Sequence, residues 1–265
     1  MAPSAGASAG GSASGGASEQ GGASGSGGAA SGGAALGGGG GSSVGGKASG
    51  CAGLFCEDFE TGQLDPAVWT VKANQGQTMK VQSEQVAHGT YAVQFHGAPN
   101  VVSYNFIIAS HAPAELRGHH YGRAYFHVTP KPPQKHTEFI FAGTAGFPKL
   151  KYLEVAESDL GWQLTYVQLT DPTGESYTPA TGSVPLAKWA CLEWEMNDNP
   201  DQIRLSVDGK SAVSFDVNFM GKKSGLVGDF TDFGFGYYIW HPATYEFDVY
   251  YDDIVLDTKP IGCLP

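Results

Sequence analysis

The stretch FGFGYYIW, residues 233–240, settles the class of fold. Along an extended chain, side chains point alternately to opposite sides. Phe233, Phe235, Tyr237 and Ile239 therefore share one face, and Gly234, Gly236, Tyr238 and Trp240 share the other. The first set reads as core. The second begins with glycines, which let a ligand approach a sheet, and ends with two polar-tipped aromatics able to stack on a sugar ring and donate hydrogen bonds. His241 sits where the strand ends, at the rim of that face. The same two-residue logic recurs outward from here, and no segment of ten or more residues shows a 3.6-residue apolar period. Runs such as VSYNFIIAS (102–110), YGRAYFHVT (121–129), WACLEWEMN (189–197) and YEFDVYYDDIVLD (245–257) are short, aromatic or β-branched. Clusters of Gly, Pro, Asn and Asp separate them, and eleven or twelve strands at this spacing mean an all-β sandwich or jelly roll. In IRLSVDGKSAVSF, Asp208-Gly209 predicts a tight hairpin turn.

Alternation also assigns faces to the other strands. In YGRAYFHV, Gly122, Ala124, Phe126 and Val128 read as core, leaving Tyr121, Arg123, Tyr125 and His127 opposite; in WACLEWEM, Ala190, Leu192, Trp194 and Met196 go inward. WQLTYVQL places Trp162, Leu164, Tyr166 and Gln168 on one side. Several strands thus carry a second face rich in Tyr, Arg, His and Gln, where a solvated sheet face would show Thr, Lys, Ser and Glu.

The first 50 residues are almost entirely Gly, Ala and Ser, and all 31 aromatic residues lie beyond them. Such a segment buries too little apolar surface to offset its ordering entropy, so residues 1–50 read as a disordered tether and 51–265 as one folded domain. The tether's two charges, Glu19 and Lys47, cancel, which puts the whole formal charge of −11 on the domain. An acidic domain argues against nucleic acid and anionic membranes, and no apolar run is long enough to span a bilayer. No secretion signal is visible. A stalk before a compact domain nonetheless suits an extracellular or envelope-tethered protein, expected to be a monomer.

Four cysteines, Cys51, Cys56, Cys191 and Cys263, allow three pairings. Their spacing suits disulfides better than zinc, and a tie between the domain's ends predicts Cys51 with Cys263 and Cys56 with Cys191. Acidic residues also gather at both ends, in CEDFETG (56–62) and YYDDIVLD (250–257). Hard oxygen ligands converging there would suit a structural Ca2+ held by Glu60, Asp253 and a carbonyl near Thr90.

With these motifs in view, FCEDFETGQLDPAVW (55–69), HGTYAVQF (88–95) and VYYDDIVLD (249–257) resemble the opening, second strand and last strand of concanavalin A-like jelly rolls. GRAYFHVTPKPPQKHTEFIFAG (122–143) is most similar to the polysaccharide-lyase-like branch with glucuronan lyases and the fungal cellulose-induced protein. The resemblance implies a polar groove on one sheet, a bound calcium and, in some members, β-elimination of a uronic-acid-containing polysaccharide. That chemistry needs the uronate carboxylate neutralised, a base for the C5 proton and an acid for the leaving oxygen. Arg123 is the candidate clamp. His136, Tyr166, Gln168 and Tyr238 are the other candidate catalytic groups, with Tyr125, His127, Trp240 and His241 as sugar contacts. Glu138, two positions after His136, is placed to hold its ring in one tautomer. The alternative is a carbohydrate-binding module without catalysis. A hydrolase is weighed through Glu193 and Glu195, about 6.6 Å apart along one strand face. LEVAES (153–158) departs from the Glu-x-Asp-x-x-Glu pattern of jelly-roll glucanases, which counts against that reading.

Overall fold

In a computed structural model, the described residues are 52–74, 76–129, 136–144, 146, 151–168, 175–198, 201–216 and 230–265. The tether and Cys51 lie outside them. The strands are β1 (Phe55–Glu57), β2 (Trp69–Ala73), β3 (Thr78–Gln82), β4 (Ala92–Gly97), β5 (Ser103–Ala109), β6 (His119–Thr129), β7 (Thr137–Gly143) and β8 (Lys151–Ser158). They continue as β9 (Gly161–Gln168), β10 (Glu175–Tyr177), β11 (Ala190–Asp198), β12 (Asp201–Val207), β13 (Lys210–Asp216), β14 (Asp232–Ile239) and β15 (Phe247–Asp257). One 3₁₀ turn, Ala114–Leu116, precedes β6. No helix among the described residues is long and apolar enough to cross a membrane.

The strands form two antiparallel sheets. The eight-stranded sheet runs β13-β12-β11-β6-β15-β4-β3, with β1 added against β15; the seven-stranded sheet runs β10-β9-β8-β7-β14-β5-β2. The core lies between them, built from Ala124, Phe126 and Val128 of β6, Leu192, Trp194 and Met196 of β11, and Phe233, Phe235, Tyr237 and Ile239 of β14. Each set is the one that alternation selects. Tyr237 is a polar-tipped residue in this layer, and its hydroxyl is satisfied by Gln77 and by the carbonyl of His96 at 3.0 Å. At the predicted hairpin, Asp208 and Gly209 take φ of 50° and 71°, the paired positive values that let two residues reverse a twisted ribbon.

One irregularity shapes the site. The β7–β14 ladder slips between Phe235 and Tyr238 on one strand and between Glu138 and Ile140 on the other. Gly236 sits in the slip with φ 153°, where an added Cβ would fall 2.0 Å from the carbonyl oxygen of Asn105. From the opposite sheet, the buried Tyr251 hydroxyl reaches the carbonyls of both Phe139 (2.8 Å) and Gly236 (2.9 Å). The irregular backbone is thereby paired across the core instead of along the sheet.

The cysteine pairing differs from expectation. Cys191 on β11 is bonded to Cys263, not to Cys56. Cys56 is itself disulfide-bonded. The Cys191–Cys263 bond fixes the C-terminal segment beside β11, and that segment meets β6: the Leu264 amide donates to the Tyr125 hydroxyl (2.9 Å), and Arg123 Nη1 donates to the Gly262 carbonyl (3.3 Å).

Candidate functional site

The outward face of the seven-stranded sheet is not a solvated surface. Phe106, Ile108, Phe141, Tyr152 and Val167 form a second apolar cluster there, with Tyr104 and Tyr238 packed against it. Gly234 makes room for it, since a Cβ at that position would meet the Phe141 ring at 1.9 Å. Beside this cluster the slip in the β7–β14 ladder sets Tyr238 opposite Glu138. Tyr238 stacks on Trp240 (ring centroids 4.4 Å apart, 29° between planes) and meets Tyr104 edge-on at 5.9 Å. Trp240 is 39% exposed, so the stack presents an aromatic surface to the outside. Its indole N–H donates to Glu138 Oε1 at 2.5 Å.

Next to this platform lies a polar cluster. His136 Nδ1 is 2.9 Å from Gln163 Oε1, and the other end of that amide donates to the Thr178 carbonyl at 2.9 Å. The amide orientation is thus fixed, so Nδ1 carries a proton, and in the neutral ring Nε2 holds the lone pair. His136 Nε2 lies 3.6 Å from Glu138 Oε1. One ligating atom each from His136, Glu138 and Glu154 lies within 4.8 Å of the others, and both glutamates are buried. Burial raises the pKa of the Tyr238 phenol, and the charges of Glu138, Tyr104 and Glu154 push it further in the same direction.

The expected catalytic set does not converge. His136, Tyr238 and Trp240 share this face, and His241 is exposed just past β14. Arg123, Tyr125 and His127 lie on the outward face of the other sheet. Arg123 and Tyr125 are covered there by the C-terminal segment, and His127 packs between Trp189 and Tyr250 with ring centroids 5.4 Å from each. Tyr166 points into the core beside Trp162 and Leu164, because Gln163, Thr165 and Val167 take the outward positions of β9. The side chain of Gln168 lies outside the described residues. Gln163, not Glu138, fixes the His136 tautomer. The hydrolase pair fails on similar grounds: Glu195 is engaged by Arg204 (2.6 Å), His119 (2.9 Å) and Tyr121 (3.1 Å). Burial works against its ionisation, yet those partners together hold its pKa down. Sequence reasoning missed Glu154 and Gln163 as site residues. Alternation in KYLEVAES pairs Glu154 with Tyr152, opposite Leu153 and Val155, and that was the available signal.

The two ends of the domain lie side by side, with β1 paired to β15. Glu60 Oε1 accepts the amides of Thr90 (2.7 Å) and Tyr91 (3.0 Å), and Asp253 Oδ2 lies 2.6 Å from His88 Nδ1. Asp252 takes the amides of Ala87 and His88. Burial raises the pKa of Asp58, and the nearby charges of Asp253 and Glu60 add to that. Asp58 Oδ1 accepts the Glu60 amide at 3.2 Å, so each of the three carboxylates has one oxygen already engaged.

Two sheets, this strand order and the aromatic outward face define a concanavalin A-like jelly roll. No family model matches the sequence, and no curated protein matches it. Among solved structures, the cellulose-induced protein Cip1 superposes with a TM-score of 0.63 at 19% identity, over 78% of this chain and 99% of that one. An endo-β-1,4-glucuronan lyase from the fungus Trichoderma reesei superposes with a TM-score of 0.59 at 14% identity, over 77% and 95%.

Proposed function

We propose that this protein binds a uronate-containing polysaccharide along the outward face of the seven-stranded sheet and cleaves it by β-elimination, with Tyr238 as the proton-transfer group. The observation that carries the reading is the Tyr238–Trp240 stack, an aromatic platform set directly beside buried polar groups. A sugar ring lying on the indole brings its C5–H and the O4 of the glycosidic bond toward the Tyr238 hydroxyl. The phenolate oxygen takes the C5 proton and passes it to O4. The C4–O4 bond breaks, a C4–C5 double bond forms, and the neighbouring sugar leaves with a new hydroxyl.

Incubated with polyglucuronate or alginate, the protein is expected to release a product absorbing in the ultraviolet. No such absorbance across a panel of uronans and a broad pH range would overturn the lyase reading. One feature favours binding without catalysis. The outward faces of β5, β7, β9 and β14 carry no Arg or Lys among the described residues, and the exposed Lys72 on this face belongs to the edge strand β2, in register with Phe106 and two strands over from Tyr238 and Trp240. In that case the chain is retarded on a polysaccharide affinity gel, and Trp240→Ala abolishes the retardation while no product forms.

A structural Ca2+ at Asp58, Glu60, Asp253 and the loop carrying Thr90 belongs to the same proposal. Chelation is expected to lower the melting temperature by several degrees, because it restores carboxylate repulsion at the junction of the chain's ends. An unchanged melting temperature would remove the ion. The disulfide at Cys191 supports an exported protein.

A further inference from the structure

We propose that His136, Glu138 and Glu154 hold a divalent transition-metal ion on the outward face of the seven-stranded sheet. The argument begins with proton positions. The Gln163 amide is oriented by its bond to the Thr178 carbonyl, so its oxygen faces His136 and requires Nδ1 to donate. In the neutral ring, Nε2 then presents its lone pair toward the Glu138 carboxylate, 3.6 Å away. Trp240 satisfies one oxygen of that carboxylate. The other, Glu138 Oε2, is buried with no hydrogen-bond partner among the described residues. A carboxylate oxygen of Glu154 completes the group within 4.8 Å. Three ligating side chains thus converge in a buried place, and the unpartnered Glu138 oxygen among them is costly to bury unless a cation lies beside it.

One imidazole nitrogen and two carboxylates form a mixed N/O donor set of the kind that takes Zn2+ and its first-row neighbours. Gln163 supplies the supporting bond that metal-bound histidines make through their second nitrogen, and Trp240 does the same for Glu138. The ion's role, though not its existence, rests on the proposed function. It supplies the positive charge that Arg123, on the other sheet, does not, and it stands beside Tyr238 where a uronate carboxylate would be neutralised.

The test uses the full chain, stripped with a chelator and dialysed against Zn2+, with Co2+ titrated in parallel as a visible-absorbing substitute. One equivalent of Zn2+ is expected to be retained, and Co2+ to develop ligand-field bands that Zn2+ abolishes. Glu138→Gln and His136→Ala should lose those bands, and Gln163→Leu should weaken binding about 10- to 100-fold. Circular dichroism of each variant separates lost binding from lost fold, and the unmutated chain decides the matter if a variant does not fold. Sub-stoichiometric Zn2+, or bands that survive in folded Glu138→Gln, would overturn the site. So would 15N shifts showing both His136 nitrogens protonated at neutral pH, since an imidazolium would then fill the gap. Product formation that persists in chelator while Zn2+ binds removes the ion's proposed role and leaves both the site and the lyase reading standing. Zn2+ bound without product on any uronan leaves the site standing and overturns the lyase reading, and the ion's role with it.

Discussion

Tyr238→Phe is expected to reduce the rate of uronan cleavage by about 10²- to 10⁴-fold, the range general acid–base groups contribute, while leaving the fold and polysaccharide affinity almost unchanged. The substitution removes one oxygen. The ring that stacks on Trp240 and meets Tyr104 remains, so sugar binding survives. The loss should therefore appear in kcat with little change in KM, as expected for a group that acts only in the transition state. Trp240→Ala should show the opposite split. The wild-type pH profile carries a further signature. Burial and the neighbouring carboxylates raise the Tyr238 pKa, so the phenolate becomes abundant only at higher pH. The rate should rise with pH through the neutral and into the alkaline range. A Phe variant that cleaves at the wild-type rate would exclude Tyr238 from the chemistry, whatever the affinity gel shows.

The residues that the sequence placed correctly are those whose position depends on local geometry. Phe233, Phe235, Tyr237 and Ile239 face the core, and Tyr238 and Trp240 face outward, because a strand's two-residue period is written into the chain itself. The same rule put Arg123, Tyr125 and His127 on one outward face, and that also holds. Alternation gives the side of a strand but not the sheet it joins. Arg123 and Tyr238 were read as neighbours because both are polar-face residues, yet β6 lies in the eight-stranded sheet and β14 in the seven-stranded one. That choice is made by pairing between residues 64 to 136 positions apart.

Tyr166 shows a second limit. A tyrosine is apolar enough for a core and polar enough for a groove, so WQLTYVQL fixed which residues go together without fixing which set turns inward. The β8 and β10 partners decide it. The cysteines fail similarly, since cysteines at both ends of the domain point to a tie between termini, while the C-terminal segment lies beside β11 and so brings Cys263 to Cys191. The polar cluster was half legible. His136 and Glu138 are neighbours on one strand end, whereas Glu154 and Gln163 arrive from β8 and β9, and only the assembled sheet brings the four together.

Gly236→Ala tests whether the irregular ladder is as constrained as it looks, and it is expected to cost on the order of 4 kcal/mol or to prevent folding. At φ 153° a side chain is disfavoured in its own right, and the new methyl would fall 2.0 Å from the Asn105 carbonyl oxygen and 2.8 Å from the Phe106 Cα. Both obstacles are backbone, held in the β5–β14 ladder, and cannot rotate away. The same movement would break the Tyr251 bonds to the Phe139 and Gly236 carbonyls, which join the two sheets across the core. For a domain of this size the loss corresponds to a fall in melting temperature of about 8–16 °C. Gly234→Ala, two residues earlier, provides the control. Its methyl meets the ring of Phe141, a side chain that can shift within the outward cluster, so the loss should be clearly smaller. If Gly236→Ala melts no lower than Gly234→Ala, the slip does not depend on glycine. The register that sets Tyr238 against Glu138 must then be maintained by side-chain contacts alone, with the Tyr238–Trp240 stack and the Trp240–Glu138 bond as the first to replace.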